Sequence, residues 1–247
     1  MTRKTKLIAG LGGGAVVVIA IAVVGGLLYF SSSDAPPPVS GDDVSDVASD
    51  GRNPVPVDAI DRTWSTIASA ATSGATSAET FVGYRIGENL TPVGQKDTTG
   101  RSAGVAGEMT IAGGDVESLH VDVDMTELQS DKSGRDSRLQ TQGLETEQFP
   151  QATFVLTAPI QIDAATIATE AGQHATAVGD LTLHGVTKSI EVAVEARLHE
   201  DAGVASIVGS APIALADYSI QKPSAPPVLS IDDAGQFEFT LLFAPAR

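Results

Sequence analysis

The side chains that could catalyse a reaction or bind a metal are few in this sequence, and none is spaced for such chemistry. The chain has no cysteine, which excludes thiol nucleophiles, thiolate metal sites, disulfides and a lipid-modified N-terminal cysteine. No GxSxG, HExxH or P-loop pattern is present. The four histidines do not show metal-ligand spacing; they are His120, His174, His184 and His199. We therefore expect a protein that is not an enzyme, with no catalytic residue, metal or cofactor.

The charge and the composition point to an acidic domain with a sparsely filled interior. The formal net charge is −16, and no basic stripe with interleaved aromatic residues is present, so nucleic acid is not expected as a partner. Hydrophobic residues make up 42% of the chain but aromatic residues only 4%. A core built from Ala, Val, Ile and Leu with few rings can leave volume unfilled.

An uncharged apolar run occupies residues 7–30, which is enough to cross a hydrocarbon layer of ~30 Å as a helix. Basic residues precede the run and the next one is Arg52, so the positive-inside rule places the rest of the chain outside the cytoplasm. The run exceeds the apolar region of about 7–15 residues in a signal peptide, although cleavage within residues 31–35 stays open. We predict a cytoplasmic tail (1–6), a transmembrane anchor (7–30) and a single-pass location in the cytoplasmic membrane.

Residues 31–57 are rich in Ser, Asp, Pro and Gly and contain little that could form a core. Such a composition predicts a flexible linker. It would hold the following domain on the order of 30 Å from the bilayer.

Alternation of apolar and polar residues dominates the predicted domain, residues 58–247. The clearest strand is 189–199, where Ile190, Val192 and Val194 share one face. Further strands are predicted at 63–69, 80–88, 102–111, 175–183 and 204–213. A series of half-buried strands indicates an antiparallel sandwich or barrel, which alternation alone does not separate. The charged stretch 131–149 lacks the pattern and is predicted to be loop with short helical turns.

Small residues on one predicted strand suggest space inside such a barrel. The inward positions after His174 are Ala175, Ala177, Gly179, Leu181 and Leu183. An eight-stranded barrel is either just filled by side chains or holds one small ligand, depending on residue size. A slender hydrocarbon suits these positions, while a tightly collapsed pair of sheets with the same composition stays open.

Several motifs resemble those of one known family. Residues 179–188 read GDLTLHGVTK and resemble the signature of the YceI family, which comprises extracytoplasmic lipocalin-like barrels associated with polyisoprenoid binding. The Arg135-Asp136 dipeptide, the FPQATF segment at 149–154 and Trp64 resemble further family features in the same order. Residues 82–88 resemble a membrane-anchored branch, whereas the usual RSDFG motif reads LADYS at 215–219.

The resemblance implies an all-β fold, an antiparallel eight-stranded lipocalin-like barrel with short helical segments, following a single N-terminal transmembrane helix. It further implies an elongated apolar tunnel for an isoprenoid chain whose head group sits at the mouth. Our candidate lipid-binding residues are Trp64, Arg85, Met125, Arg135, Phe154, Leu181 and His184.

Structural roles for these candidates stay open. His184 could close a hairpin, Arg85 could bond a phosphate or Glu88, and Arg135 could pair with Asp136 to fix a loop across the opening. Trp64 and Phe154 could be ordinary core residues.

The leading hypothesis is an anchored module that carries or sequesters a polyisoprenoid or another long apolar lipid at the outer side of the cytoplasmic membrane. The first alternative is a structural or protein-interaction domain of the cell envelope without a bound lipid. An enzyme acting on an isoprenoid lipid is less favoured. A homodimer is compatible with the sequence.

Overall fold

The computed structural model describes residues 35–44, 47, 50–67, 79–92, 94–224 and 228–247. Over these residues the regular secondary structure is mainly β-strand. The strands are β1 (Thr63–Thr66), β2 (Phe81–Leu90), β3 (Gly94–Ser102), β4 (Val105–Ala112), β5 (Asp115–Asp124), β6 (Gln129–Ser130), β7 (Gln151–Leu156), β8 (Ile160–Gln161), β9 (Gln173–Leu183), β10 (Val186–His199), β11 (Val204–Ala214), β12 (Val228–Ile231) and β13 (Ala234–Pro245). The helices are α1 (Ser133–Arg138) and α2 (Ala164–Ile167). Shorter turns of 3-10 type lie at Gly41–Val44, Val57–Ala59, Met125–Glu127, Glu200–Ala202 and Leu215–Tyr218, and a π-helical turn at Leu139–Gly143.

Eight strands form a closed antiparallel barrel. Their order is β1, β4, β5, β7, β9, β10, β11 and β13, and β13 returns to pair with β1. The pairs Trp64 with Pro245 and Thr66 with Phe243 make this closure. The predicted eight-stranded lipocalin-like barrel is confirmed, and closure leaves these strands without a free edge.

A second set of strands extends from the barrel. The first half of β13 pairs with β2, from Gln236 opposite Arg85 to Thr240 opposite Phe81. β2 then pairs with β3 and β12, and β3 pairs with β6. This extension leads into α1 and the π-helical turn, and so places the predicted loop 131–149 beside one end of the barrel.

The signature residues form the hairpin between β9 and β10. His184 and Gly185 occupy its turn with φ values of 51° and 72°, the two positive φ angles that a two-residue type I′ turn needs. Further along β9, a Cβ on Gly179 would lie only 2.3 Å from the Phe154 ring. This glycine is therefore required for the close packing of β9 against β7.

The barrel core is apolar and includes the predicted tryptophan. Trp64 and Phe243 are fully buried, and they pack in one cluster with Val121, Val192 and Leu241. The indole Nε1 of Trp64 donates a hydrogen bond to the carbonyl oxygen of Ile60 at 3.1 Å. Because its polar atom is satisfied locally, Trp64 acts as a core residue that fixes the start of β1.

Parts of the region predicted as a flexible linker are packed against the barrel. We call residues 35–44 and 50–57 the strap. Val44 of the strap is buried against Val204, Val208 and Leu242. The backbone N–H of Val55 donates to the carbonyl oxygen of Glu200 at 2.8 Å. The prediction was a flexible tether. Isolated valines in this Pro- and Ser-rich segment are nevertheless enough to hold it on the barrel, because an apolar surface lies beside them.

The predicted anchor at residues 7–30 lies outside the described residues. Within the ranges that the structure describes, no helix has the length and apolar character needed to cross a membrane.

Candidate functional site

A cavity of about 280 Å³ lies inside the barrel and opens towards the end that carries α1. This volume is slightly below the ~300–1,000 Å³ of typical small-molecule sites. Its wall comes from β5, β7, β9, β10, β11 and β13 of the barrel and from β2 of the extension. The cavity therefore suits a slender ligand better than a bulky one.

Small side chains on two neighbouring strands keep this space open. Ala152 on β7 and Ala177 on β9 both line the cavity and are themselves buried. The larger side chains on the wall are mostly aliphatic, and three phenylalanines complete it: Phe154, Phe237 and Phe239. The rings of Phe237 and Phe239 lie with their centres 5.3 Å apart. Such a wall offers a hydrocarbon chain extensive apolar contact.

The mouth of the cavity carries its polar groups. It is formed by α1, the π-helical turn, residues 215–223 and two residues of β12, Val228 and Ile231. Arg135 on α1 lies with Nη2 3.5 Å from Oε2 of the buried Glu88, and its Nη1 donates to Asp131. Burial lowers the pKa of Arg135, but Glu88 and Asp131 outweigh it and hold the pKa above its ordinary value. The guanidinium is thus a permanent charge at the mouth.

Tyr84 contributes a second polar group to the cavity wall. Burial raises the pKa of its phenol well above the ordinary value, so it stays protonated at neutral pH and can donate a hydrogen bond to a ligand. Tyr84 is not among the residues predicted for the site. The signal was available, because Tyr84 alternates with Val82 and Ile86 on a predicted strand.

Arg135 and Asp136 are not paired with each other. Asp136 Oδ1 instead accepts hydrogen bonds from the backbone N–H and the hydroxyl of Ser130, at 2.9 and 2.6 Å. Arg135 Nη1 also reaches the Ser130 hydroxyl at 3.3 Å. The dipeptide therefore holds α1 onto β6, which corrects the expected pairing but keeps the expected effect of fixing the loop at the opening.

Arg85 lines the cavity wall, but its guanidinium group forms its hydrogen bonds on the outer side of the strand. Its Nε donates to Glu238 Oε2 at 3.2 Å and its Nη2 to the carbonyl oxygen of Pro36 at 2.7 Å. Glu238 alternates with Phe237 and Phe239, which line the cavity, so it lies on the outer face of β13. The suggested pairing of Arg85 with Glu88 does not occur, since Glu88 pairs with Arg135.

His184 lies outside the cavity wall and is buried in the turn of the signature hairpin. Its Nδ1 donates to the carbonyl oxygen of Tyr218 at 2.9 Å, and its Nε2 lies 3.0 Å from Oε2 of Glu145. Phe149 contacts the imidazole edge-on, with the ring centres 4.5 Å apart. The altered LADYS segment, which contains Tyr218, therefore packs directly on the signature through this histidine.

The candidate residues thus fall into two groups. Those that line the cavity are Arg85, Met125, Arg135, Phe154 and Leu181. Trp64 and His184 are buried elsewhere, each with a hydrogen-bonding role in the fold. That any of the seven binds lipid stays a prediction.

No group of three or more acidic or histidine side chains converges as a metal site among the residues that the structure describes. Ionisable groups at the mouth are instead engaged with one another, as in the Arg135–Glu88 pair.

Comparison with protein families gives a match to the YceI-like domain over residues 74–243. The chain belongs to the YceI family. The match covers more than half of the chain and nearly the whole barrel. It includes the signature hairpin between β9 and β10.

Solved structures support the same fold. A polyisoprenoid-binding domain from Saccharophagus degradans aligns with a TM-score of 0.55 and 18% identity, covering 74% of this chain and 98% of that one. BcnA from Burkholderia cenocepacia aligns with a TM-score of 0.51 and 17% identity, covering 66% of this chain and 95% of that one. No curated protein sequence matches this chain. At these identities the structural likeness shows the YceI barrel alone.

Proposed function

We propose that this barrel binds and sequesters a polyisoprenoid or a similar long apolar lipid in its cavity. The observation that carries the proposal is the narrow apolar cavity, kept open by Ala152 and Ala177 and bordered at its mouth by polar groups. Each methylene buried there contributes on the order of 0.8 kcal/mol, so a chain of several isoprene units gains affinity without many polar contacts. The related barrel from Saccharophagus degradans, described as a polyisoprenoid-binding domain, supports this choice of ligand class.

The proposed role is binding without catalysis. Two of the charged groups at the mouth, Arg135 and Glu88, pair with one another, which leaves neither free to act as a general acid or base. Tyr84 and Arg135 are instead placed to orient a head group while the chain lies deeper in the barrel.

We further propose that the barrel works at the outer side of the cytoplasmic membrane, attached by residues 7–30. The support is the uncharged run itself, with Arg3, Lys4 and Lys6 before it and no further basic residue until Arg52. A membrane source would supply the lipid that the cavity fits.

Native mass spectrometry of the full chain, extracted in a mild detergent, tests the binding proposal. We expect a non-covalent adduct whose fragmentation shows a long apolar chain. Repeated recovery of ligand-free protein, together with no uptake when polyprenyl lipids are added back, would exclude lipid sequestration.

A further inference from the structure

We infer that the mouth of the cavity lies directly against the lipid bilayer, so that a lipid passes between membrane and barrel without crossing water. The inference rests on the proposed anchored function and adds the orientation of the barrel to it. The observations that carry it are the course of the strap and the composition of the rim.

The strap begins at the mouth end of the barrel. The carbonyl oxygen of Pro36 accepts a hydrogen bond from Arg85 Nη2 at 2.7 Å. Arg85 pairs with Gln236 on β13, and both residues line the cavity. The chain therefore reaches the barrel beside the opening rather than at the far end.

From this point the strap runs towards the opposite end. At Gly41 a Cβ would overlap the Glu195 carboxylate, so the strap backbone lies directly on β10. Val55 and Val57 then bond to Glu200, in the turn that follows β10. This turn precedes Val204, the first residue of β11, and lies far along β10 from the Val186 end beside the mouth.

The connection between the predicted anchor and the barrel is therefore short. Five residues, 31–35, separate the apolar run from Pro36. A fully extended chain covers at most ~3.3–3.6 Å per residue, so Pro36 lies within about 20 Å of the end of the run. A free linker to residue 57 would leave both distance and orientation undefined, whereas burial of Val44 on the barrel holds the strap in place.

The rim has the chemistry expected of a surface in contact with lipid head groups. Leu229 on β12 is 68% exposed, the more exposed of two large apolar side chains that face solvent among the described residues. Its neighbours Val228 and Ile231 line the cavity. Arg138, which belongs to the same rim, adds positive charge that attracts anionic head groups, whereas Lys132 there lies 3.8 Å from Asp131.

Single-cysteine variants test the orientation, because the natural chain has no cysteine and needs no background removal. The full chain is reconstituted in nanodiscs that contain anionic lipid and a fraction of lipid with a quencher on its head group. A fluorophore is attached in the variant Leu229→Cys at the rim, or in the control Asp201→Cys, an exposed position in the turn beside the far end of β10.

We expect quenching at the Leu229 position to exceed that at the Asp201 position several-fold. Equal quenching at the two positions, or stronger quenching at Asp201, would overturn the inference. Recovery of the protein outside the nanodiscs would overturn it as well, because the anchor on which it depends would be absent.

Lengthening the connection provides a matched control. Insertion of a Gly/Ser segment of about twelve residues after Ser33 leaves the strap docked but frees the barrel to move away from the bilayer. Quenching at the Leu229 position should fall towards the Asp201 value, and unchanged quenching would contradict the geometric argument.

Native mass spectra of the same samples separate the two proposals. A lipid adduct with equal quenching at both positions leaves sequestration standing and overturns the orientation. Preferential quenching at Leu229 without any adduct supports the orientation and overturns sequestration.

Discussion

Arg85 and Glu238 form a buried ion pair on the outer face of the barrel, with Nε 3.2 Å from Oε2. The Glu238 side chain is 2% exposed, and Arg101 Nη2 lies 3.9 Å from its Oε1. Pro36 of the strap takes a further hydrogen bond from Arg85. Asp97 Oδ2 lies 3.9 Å from Arg85 Nη1, so two carboxylates face two guanidinium groups where the strap meets the barrel.

Replacing Glu238 with Ala should destabilise the protein by about 3 kcal/mol, because the buried Arg85 would lose its nearest counter-charge and keep only Asp97, 3.9 Å away. The measurement is the urea midpoint at pH 7, with an unchanged slope to show that the unfolded state is comparable. Exposed Glu191 on β10 provides the control, and Glu191→Ala should stay within about 0.5 kcal/mol of the natural protein. A Glu238→Ala midpoint equal to that of the control would refute a stabilising role for the pair.

His184 should matter for stability and not for ligand binding. His184→Ala removes both ring hydrogen bonds and places alanine at a φ of 51°, which we expect to cost about 1–3 kcal/mol. Lipid occupancy per folded molecule should not change, because His184 does not line the cavity. Native mass spectra give the occupancy and urea titration the stability.

The matched control is His120→Ala, since His120 lies exposed on β5 and should change neither quantity. Selective loss of lipid in the His184 variant, with stability intact, would assign the histidine to the ligand site after all.

His199 should make the fold sensitive to mild acid. Burial, and secondly the charge of Arg197, lowers its pKa from 6.5 to about 4. The folded state therefore resists protonation that the unfolded state accepts, so this contribution to stability is complete above pH 6.5 and is lost as the pH falls towards 4.

The variant His199→Gln should show a shallower decline between pH 6.5 and 4.5 than the natural protein. Urea midpoints at several pH values give the difference in stability between the two proteins. The contributions of the carboxylates cancel in this difference, because both proteins contain the same ones. Parallel declines would show that His199 does not titrate in this way.

The barrel could be predicted because most of its strands have one solvent-exposed face, which produces alternation of apolar and polar residues in the sequence. β9, β10 and β11 were expected at 175–183, 189–199 and 204–213 and lie at Gln173–Leu183, Val186–His199 and Val204–Ala214. β3 was missed because its sequence, GQKDTTGRS, is polar throughout. It belongs to the extension, where the buried positions are taken by Thr98, Gly100 and Ser102 instead of large apolar residues.

The site was predictable only in part, for a related reason. Inward positions such as Leu181 and Phe154 follow directly from alternation, and both line the cavity. Long-range partners do not follow, since nothing local to Arg85 indicates that its counter-ion is Glu238, 153 positions later in the chain. The packing of the strap could not be predicted either. Composition indicates whether a segment can form its own core, but not whether it can pack on the surface of a neighbouring domain.

The most direct test of lipid sequestration is the lipid occupancy of a protein whose cavity is blocked. Ala177→Phe places a ring inside the cavity, and Ala193→Phe, at an exposed position on the outer face of β10, is the matched control. If the ring excludes even two methylenes, the lost burial of about 1.6 kcal/mol lowers the affinity roughly tenfold or more. The measurement is the fraction of adduct in native mass spectra at equal lipid supply, with circular dichroism to confirm folding. We predict that the Ala177 variant loses most of the adduct while the Ala193 variant retains it; equal adduct in both folded variants would contradict binding in the cavity.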